Sequence, residues 1–273
     1  MKKILILCAA ILAACSSPTD EETALSDSVA EVTLNFSPYQ METMSRAATS
    51  IADIVTHLDV WLTDGTTTAT VHQTTADAAF GSITVTLDKT KTYQLYAVGH
   101  RANGFATLSD GAVISFPDDK VTHTLYYTTT FTPATTASLS CEMTRIVAQF
   151  RVEITDNIPE ECKTMRFTIA NVFDRWNVST GATHSLDRVS TINYNGTSSI
   201  FNVYAIVTNE QTLHDITIEA LDADEGVIQT RSFADVPLRN GYKTTYRGTF
   251  FIDTATAATF TIGDWQEYDT VNF

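Results

Sequence analysis

From Val32 to Ile262 the chain alternates apolar and polar residues in short runs. Val32, Leu34 and Phe36 open the pattern, and Leu58, Val60 and Leu62 repeat it. Further runs follow at Ile83–Leu87, Tyr93–Ala97, Ile146–Ile154, Met165–Ile169, Phe201–Val207 and Ile216–Ala220. A period of two, interrupted by Gly, Asn, Asp or Pro, predicts strands with one buried face stacked into antiparallel sheets. The abundance of threonine agrees, because β-branched side chains suit a pleated, half-exposed surface. One short helix is expected within residues 49–57, running into a strand. The fold class predicted is all-β, with two antiparallel β-sandwich domains in tandem.

The segment 131–138, Phe-Thr-Pro-Ala-Thr-Thr-Ala-Ser, is small and polar and holds a Pro that cannot donate to a ladder, so it reads as the boundary. It places the first sandwich at residues 28–136 and the second at 137–273. A single long sandwich is the alternative. The roughly 260 residues behind the leader suit two domains, at about 100–200 residues each.

Residues 1–14 form a bacterial signal peptide. Lys2 and Lys3 make a positive start, and the apolar run 4–12 is too short to span a bilayer. Leu12-Ala13-Ala14-Cys15 resembles the lipobox of bacterial lipoproteins, which marks Cys15 for lipidation and predicts anchoring to outer-membrane lipid without a transmembrane segment. Residues 15–27 then form an acidic tether, and Asp20-Glu21-Glu22 fits either a solvated spacer or a surface-export tag. Removing the leader leaves 15 basic against 32 acidic residues. A nucleic-acid partner is excluded by that balance, since such binding needs a basic footprint.

The residues offer little to catalysis. No nucleophile elbow, phosphate loop or zinc signature occurs, and the six histidines are scattered along the sequence, so neither an enzyme, a cofactor nor a metal site is predicted. Asp222-Ala-Asp-Glu-Gly226 begins like a calcium loop but carries Phe233 where a bidentate Glu belongs, and reads as a charged hairpin turn. Ser28, Thr254 and Thr270 each follow an Asp and precede a small or apolar residue, a pattern resembling bacterial O-glycosylation sites. Cys141 and Cys162 remain in the folded body. A hairpin of 143–154 with 165–172 would hold them on the order of 40 Å apart, so both are expected to be free thiols.

Between Lys3 and Lys89 the only Lys or Arg is Arg46, in the polar stretch behind the first predicted strand. That position is either chance or a processing point. The lipobox, the short strand followed by Arg46-Ala47, the stretches Met143–Val152 and Arg239–Gly248, and the closing Phe260–Trp265 and Val271–Phe273 together resemble fimbrillins, the lipoprotein subunits of type V pili, and among them the minor or accessory members. The resemblance implies transthyretin-like sandwiches, export to the outer membrane and cell surface, and cleavage of the Arg46–Ala47 bond by an Arg-specific protease. It also implies exchange of the strand carrying Val32, Leu34 and Phe36 for a strand of another fimbrial subunit, with a host or bacterial surface receptor as further partner. The candidate donor is the segment of Trp265, Val271 and Phe273, unless 260–273 is only the last strand of the second sandwich. The rival expectation is a non-polymerising surface lipoprotein that binds glycans or host proteins through Trp61, Trp176 and Tyr194.

Overall fold

The computed structural model describes residues 28–39, 50–110, 112–252 and 260–264. The fold is all-β, as the alternation predicts. The first unit is a seven-stranded arrangement in the order β3-β2-β5-β8-β9-β1-β4. Its strands are β1 (Val29–Pro38), β2 (His57–Thr63), β3 (Thr68–Thr74), β4 (Ser82–Asp88), β5 (Tyr93–His100), β8 (Leu125–Phe131) and β9 (Ser138–Arg145). β9 runs parallel to β1 over residues 138–143 and then pairs antiparallel with β8 at Thr144 and Arg145, so one strand belongs to both layers. Between the layers lies a core of Val32, Leu34 and Phe36 against Leu58, Val60, Leu62 and Leu95.

The predicted boundary at 136/137 therefore falls in the wrong place. Ser138–Arg145 completes the first unit, and the chain leaves it only at Ile146-Val147. The small residues of 131–138 mark a turn between β8 and β9, because a polar, Pro-bearing stretch serves a hairpin as well as a linker. The hairpin expected from 143–154 and 165–172 does not form either. β10 (Ala148–Ile154) instead pairs with β13 (Ile200–Ala205) and β16 (Tyr242–Gly248). Both cysteines are nonetheless free and buried, for a different reason: Cys141 lies in the first core and Cys162 in the second.

The second unit packs the sheet β13-β10-β16-β17 on a sheet built around β11 (Thr164–Asn177), with β17 (Phe260–Asp264) at one edge. β11 pairs along one side with β12 (Gly181–Asn193). Its other side meets β14 (Thr212–Leu221) over residues 164–169. β14 in turn forms a hairpin with β15 (Val227–Leu238), and Asp222 closes its turn by accepting the N–H groups of Asp224 and Gly226, as the charged-turn reading requires. A bulge interrupts β11 between Ile169 and Val172, with Asn171 at φ 56°. Beyond it the strand acquires a new neighbour.

That neighbour comes from the first unit. The insertion between β5 and β8 carries β6 (Thr107–Leu108) and β7 (Val113–Ser115), and β7 pairs with Arg175, Trp176 and Asn177 of β11. A third apolar cluster forms at this junction, joining Trp61, Val98 and Tyr126 of the first unit to Ile114 and Phe116 of the insertion and to Trp176 and Ile206 of the second. β2 is consequently buried on both faces. On the junction face Asp59 accepts from Nδ1 of His72 at 2.5 Å, from Nε2 of His100 at 2.9 Å and from the N–H of Ala106 at 2.9 Å. Sequence-distant histidines are thus gathered on one carboxylate, which fixes the start of the insertion. Among the described residues no group is arranged to hold a metal ion, and no helix is long and apolar enough to cross a membrane.

Candidate functional site: the seat of the first strand

β1 is an interior strand. It pairs antiparallel with β4 from Val29↔Asp88 to Asn35↔Ser82, and parallel with β9 from Thr33↔Ser138 to Pro38↔Met143. Its alternation is complete over the second half: Val32, Leu34 and Phe36 are 0%, 0% and 6% exposed, while Asn35 and Ser37 face water. All three residues predicted for exchange therefore point into the core. Removing β1 would leave two strand edges unpaired and a row of three empty apolar seats.

The outward face of β1 is read by hydroxyl groups. Thr33 Oγ1 lies 3.2 Å from Thr84 Oγ1. Asn35 donates through Nδ2 to Ser138 Oγ at 3.2 Å and accepts at Oδ1 from Ser82 Oγ at 3.1 Å, so its amide bridges both flanking strands. Alternation with Leu34 and Phe36 puts Asn35 on the outer face, but no local spacing reveals these partners. At the far end of the seat the N–H of Phe36 donates to the carbonyl of Gly81 at 2.7 Å. Gly81 sits at φ +89°, and a Cβ there would lie 2.8 Å from Ile51 Cγ2, so glycine is required by both backbone and space.

Ser50 is the N-cap of helix α1 (Ile51–Ile54), the short helix expected within 49–57. Ser50 and Asp53 form a reciprocal capping box, with Ser50 Oγ accepting from the N–H of Ala52 at 3.3 Å and Asp53 Oδ2 from the N–H of Ser50 at 2.9 Å. Arg101 donates to the carbonyls of Ile54 and Asp53, and Ile51 and Ile54 are buried. On the other side of the predicted cleavage point, the N–H of Tyr39 donates to the Met143 carbonyl at 2.8 Å. Arg46 and Ala47 themselves lie outside the described residues, as do Cys15, Thr254, Trp265, Thr270, Val271 and Phe273. Ser28 is exposed, and its carbonyl accepts from the N–H of Lys89 at 2.9 Å.

The aromatic platform expected for a glycan does not assemble. Trp61 and Trp176 are 4% and 8% exposed in the junction cluster, and Tyr194 packs half-buried against the second core. Burying both indoles follows from the insertion, which covers the outer face of β2.

Residues 109–270 match the family described as "Family of unknown function (DUF6562)". The chain belongs to this DUF6562 family. The match starts ahead of β7, at residue 109 and not at the predicted boundary of 137, in keeping with the place of β7 beside β11. No curated protein matches the chain. Among solved structures, this DUF6562 chain is similar to a candidate adhesin from Bacteroides ovatus at 15% identity and a TM-score of 0.53, over 85% of this chain and 96% of that one. A candidate cell adhesion protein from Bacteroides uniformis also gives 15% identity, with a TM-score of 0.52 over 88% and 99% of the two chains. A Bacteroides thetaiotaomicron structure described as a candidate polysaccharide-binding protein (DUF1812) gives 11% identity and a TM-score of 0.52, over 88% and 100%. At these identities the likeness is one of fold.

Proposed function

We propose that this chain is a structural subunit of a cell-surface fimbria that serves adhesion and carries no catalytic activity. It is exported as a lipoprotein on Cys15, anchored in the outer membrane, and joined to neighbouring fimbrial subunits by strand exchange. In this reading an Arg-specific protease hydrolyses the Arg46–Ala47 bond; water is consumed, and the products carry a carboxylate on Arg46 and an amine on Ala47. The lipid and β1 then belong to a separate fragment. The observation that carries the reading is the place of β1 between β4 and β9 with Val32, Leu34 and Phe36 in the core.

Magnitudes favour exchange over simple loss. Three fully buried side chains contribute together about 5–9 kcal/mol, so vacating the seat costs a large part of the about 5–15 kcal/mol that stabilises a typical domain. While the chain is intact, β1 is held intramolecularly. Once cut, it becomes a ligand that also bears the about 4–15 kcal/mol cost of lost translational and rotational freedom, and a strand supplied by another subunit competes on equal terms. The capping box and Arg101 hold α1 from Ser50 onward, so the cut does not propagate into that helix.

The adhesin and cell-adhesion descriptions of the similar folds support the same reading by analogy of fold. A glycan platform of Trp61 and Trp176 has lost its support, since both indoles are buried. The test is limited digestion of wild type and Arg46→Ala with an Arg-specific protease. Wild type is expected to lose the fragment ending at Arg46 and to form ladders on non-denaturing gels, while the variant stays intact and monomeric. Ladders that form equally in the variant refute the cleavage step.

A further inference from the structure

β3 ends the strand order of the first unit and, among the described residues, pairs only with β2. The N–H of Thr75 donates to the carbonyl of Thr56 at 3.1 Å, and the N–H of Asp64 to the carbonyl of Thr67 at 3.2 Å. Backbone direction alternates along an antiparallel pair, so Ala69, Val71 and Gln73 bond β2, while Thr68, Thr70, His72 and Thr74 aim N–H and C=O away from it. Asp77 takes both groups of Thr74: its carboxylate accepts the N–H at 2.8 Å, and its own N–H donates to the carbonyl at 2.9 Å. Thr68, Thr70 and His72 are exposed, and their N–H and C=O groups meet no partner among the described residues. We propose that this edge pairs antiparallel with the same edge of a second copy of the chain, about a twofold axis at Thr70, with Thr68 opposite His72.

The edge carries no guard. Native edge strands are blunted by charge, proline or a bulge. β15 has Arg231, Asp235 at φ 56° and Pro237, and its pairing with β14 shifts register twice. β4, at the other end of the first unit, has its Ser82 carbonyl taken by Gln73 and its Asp88 N–H by the Tyr93 hydroxyl. Residues 65–76 hold no Lys, Arg, Asp, Glu or Pro, and β3 runs along β2 without a register shift. Charge then favours a second copy over a charged partner. With 32 acidic against 17 basic residues, two copies repel over most of their surfaces, and an uncharged edge lets them approach. A basic or acidic strand would find no counter-charge there.

The free groups also select the register. With Thr70 on the axis, every open N–H and C=O of both copies is used, and the two Thr70 side chains meet as a cross-strand pair. Displacement by two residues sets Thr68 against Thr74 in one direction and His72 against Thr66 in the other. The N–H groups of Thr74 and Thr66 are already held by Asp77 and Asp64, so either displacement forfeits hydrogen bonds. One short strand pair buries less than the about 1,200 Å² of a stable interface, so separate chains associate only when concentrated and run as monomers on a dilute gel. Copies crowded on one surface pair more readily, because their effective concentration is high.

The test uses the full chain carrying Arg46→Ala, so that strand exchange does not contribute. Sedimentation equilibrium at rising concentration is expected to show the mass climbing from monomer towards dimer. Thr70→Lys sets two like charges on the axis, and Thr70→Pro removes a free N–H without touching the bonds to β2; each is expected to weaken association about tenfold or more. The denaturation midpoint of Thr70→Lys should stay at the wild-type value, which separates lost pairing from lost folding. With oxidised glutathione, Thr70→Cys is expected to give a dimer bridged at that position, mapped by peptide mass spectrometry, about tenfold faster than Thr68→Cys does. A chain that stays monomeric at every concentration, association unchanged by Thr70→Lys, or bridging as fast at position 68 as at 70 overturns the proposal and leaves strand exchange untouched.

Discussion

Replacing Leu34 by Ala removes a fully buried side chain from the centre of β1 while leaving every backbone hydrogen bond of the strand available. Deletions of this kind cost about 2–5 kcal/mol, the transfer free energy of the lost atoms plus the cavity they leave. In the intact chain this is read as a fall in stability by chemical denaturation, with the slope of the transition unchanged. Thr33→Ala, one residue away on the outer face, is the control and is expected to cost no more than about 1 kcal/mol, the value of an exposed hydroxyl contact. After cleavage at Arg46 the same Leu34→Ala change acts on dissociation. A loss of about 3 kcal/mol corresponds to roughly a hundredfold weaker retention of the fragment, followed by gel filtration of freshly cut protein. Equal stability of Leu34→Ala and wild type in the intact chain would refute the premise that β1 completes the first core.

Gly81→Ala should destabilise the seat by about 1–3 kcal/mol through left-handed backbone strain and contact with Ile51, whereas Gly65→Ala, also at positive φ but with open space around it, should cost only the backbone part; denaturant midpoints compare the two. Burial opposes ionisation of Asp156, yet the N–H groups of Phe250, Ile252 and Phe251 outweigh it and hold its carboxyl below the ordinary value. Its contribution is therefore complete above the unfolded pKa of about 3.9 and is lost as pH falls through the folded pKa. The stability gap between wild type and Asp156→Asn should be open at pH 6 and close on acidification, and a gap independent of pH contradicts this. Burial pushes the Cys141 thiol up to about 12, and Cys162 is raised for the same reason. Both should resist alkylation at pH 8 in the native protein and react once it is unfolded, and mass spectrometry counts the labels.

The alternation of apolar residues revealed the class of fold and the inward face of β1, because a period of two is a property of single strands. It was silent about partners. Ser138–Arg145 alternates as well in the first sheet as it would in the second, which is why the boundary was misplaced. The two- and three-residue strands β6 and β7 are too short to show any period, so the insertion that joins the units went unseen, and with it the burial of Trp61 and Trp176. Histidines far apart in sequence met at Asp59 through strand pairing that no local spacing reveals.

The most direct test of the account is native mass spectrometry of the full chain after treatment with an Arg-specific protease. The account predicts species that begin at Ala47, have lost the fragment carrying β1, and assemble into oligomers that grow with protein concentration. A chain left uncut at Arg46, or a cut monomer that keeps its fragment at every concentration, would contradict it.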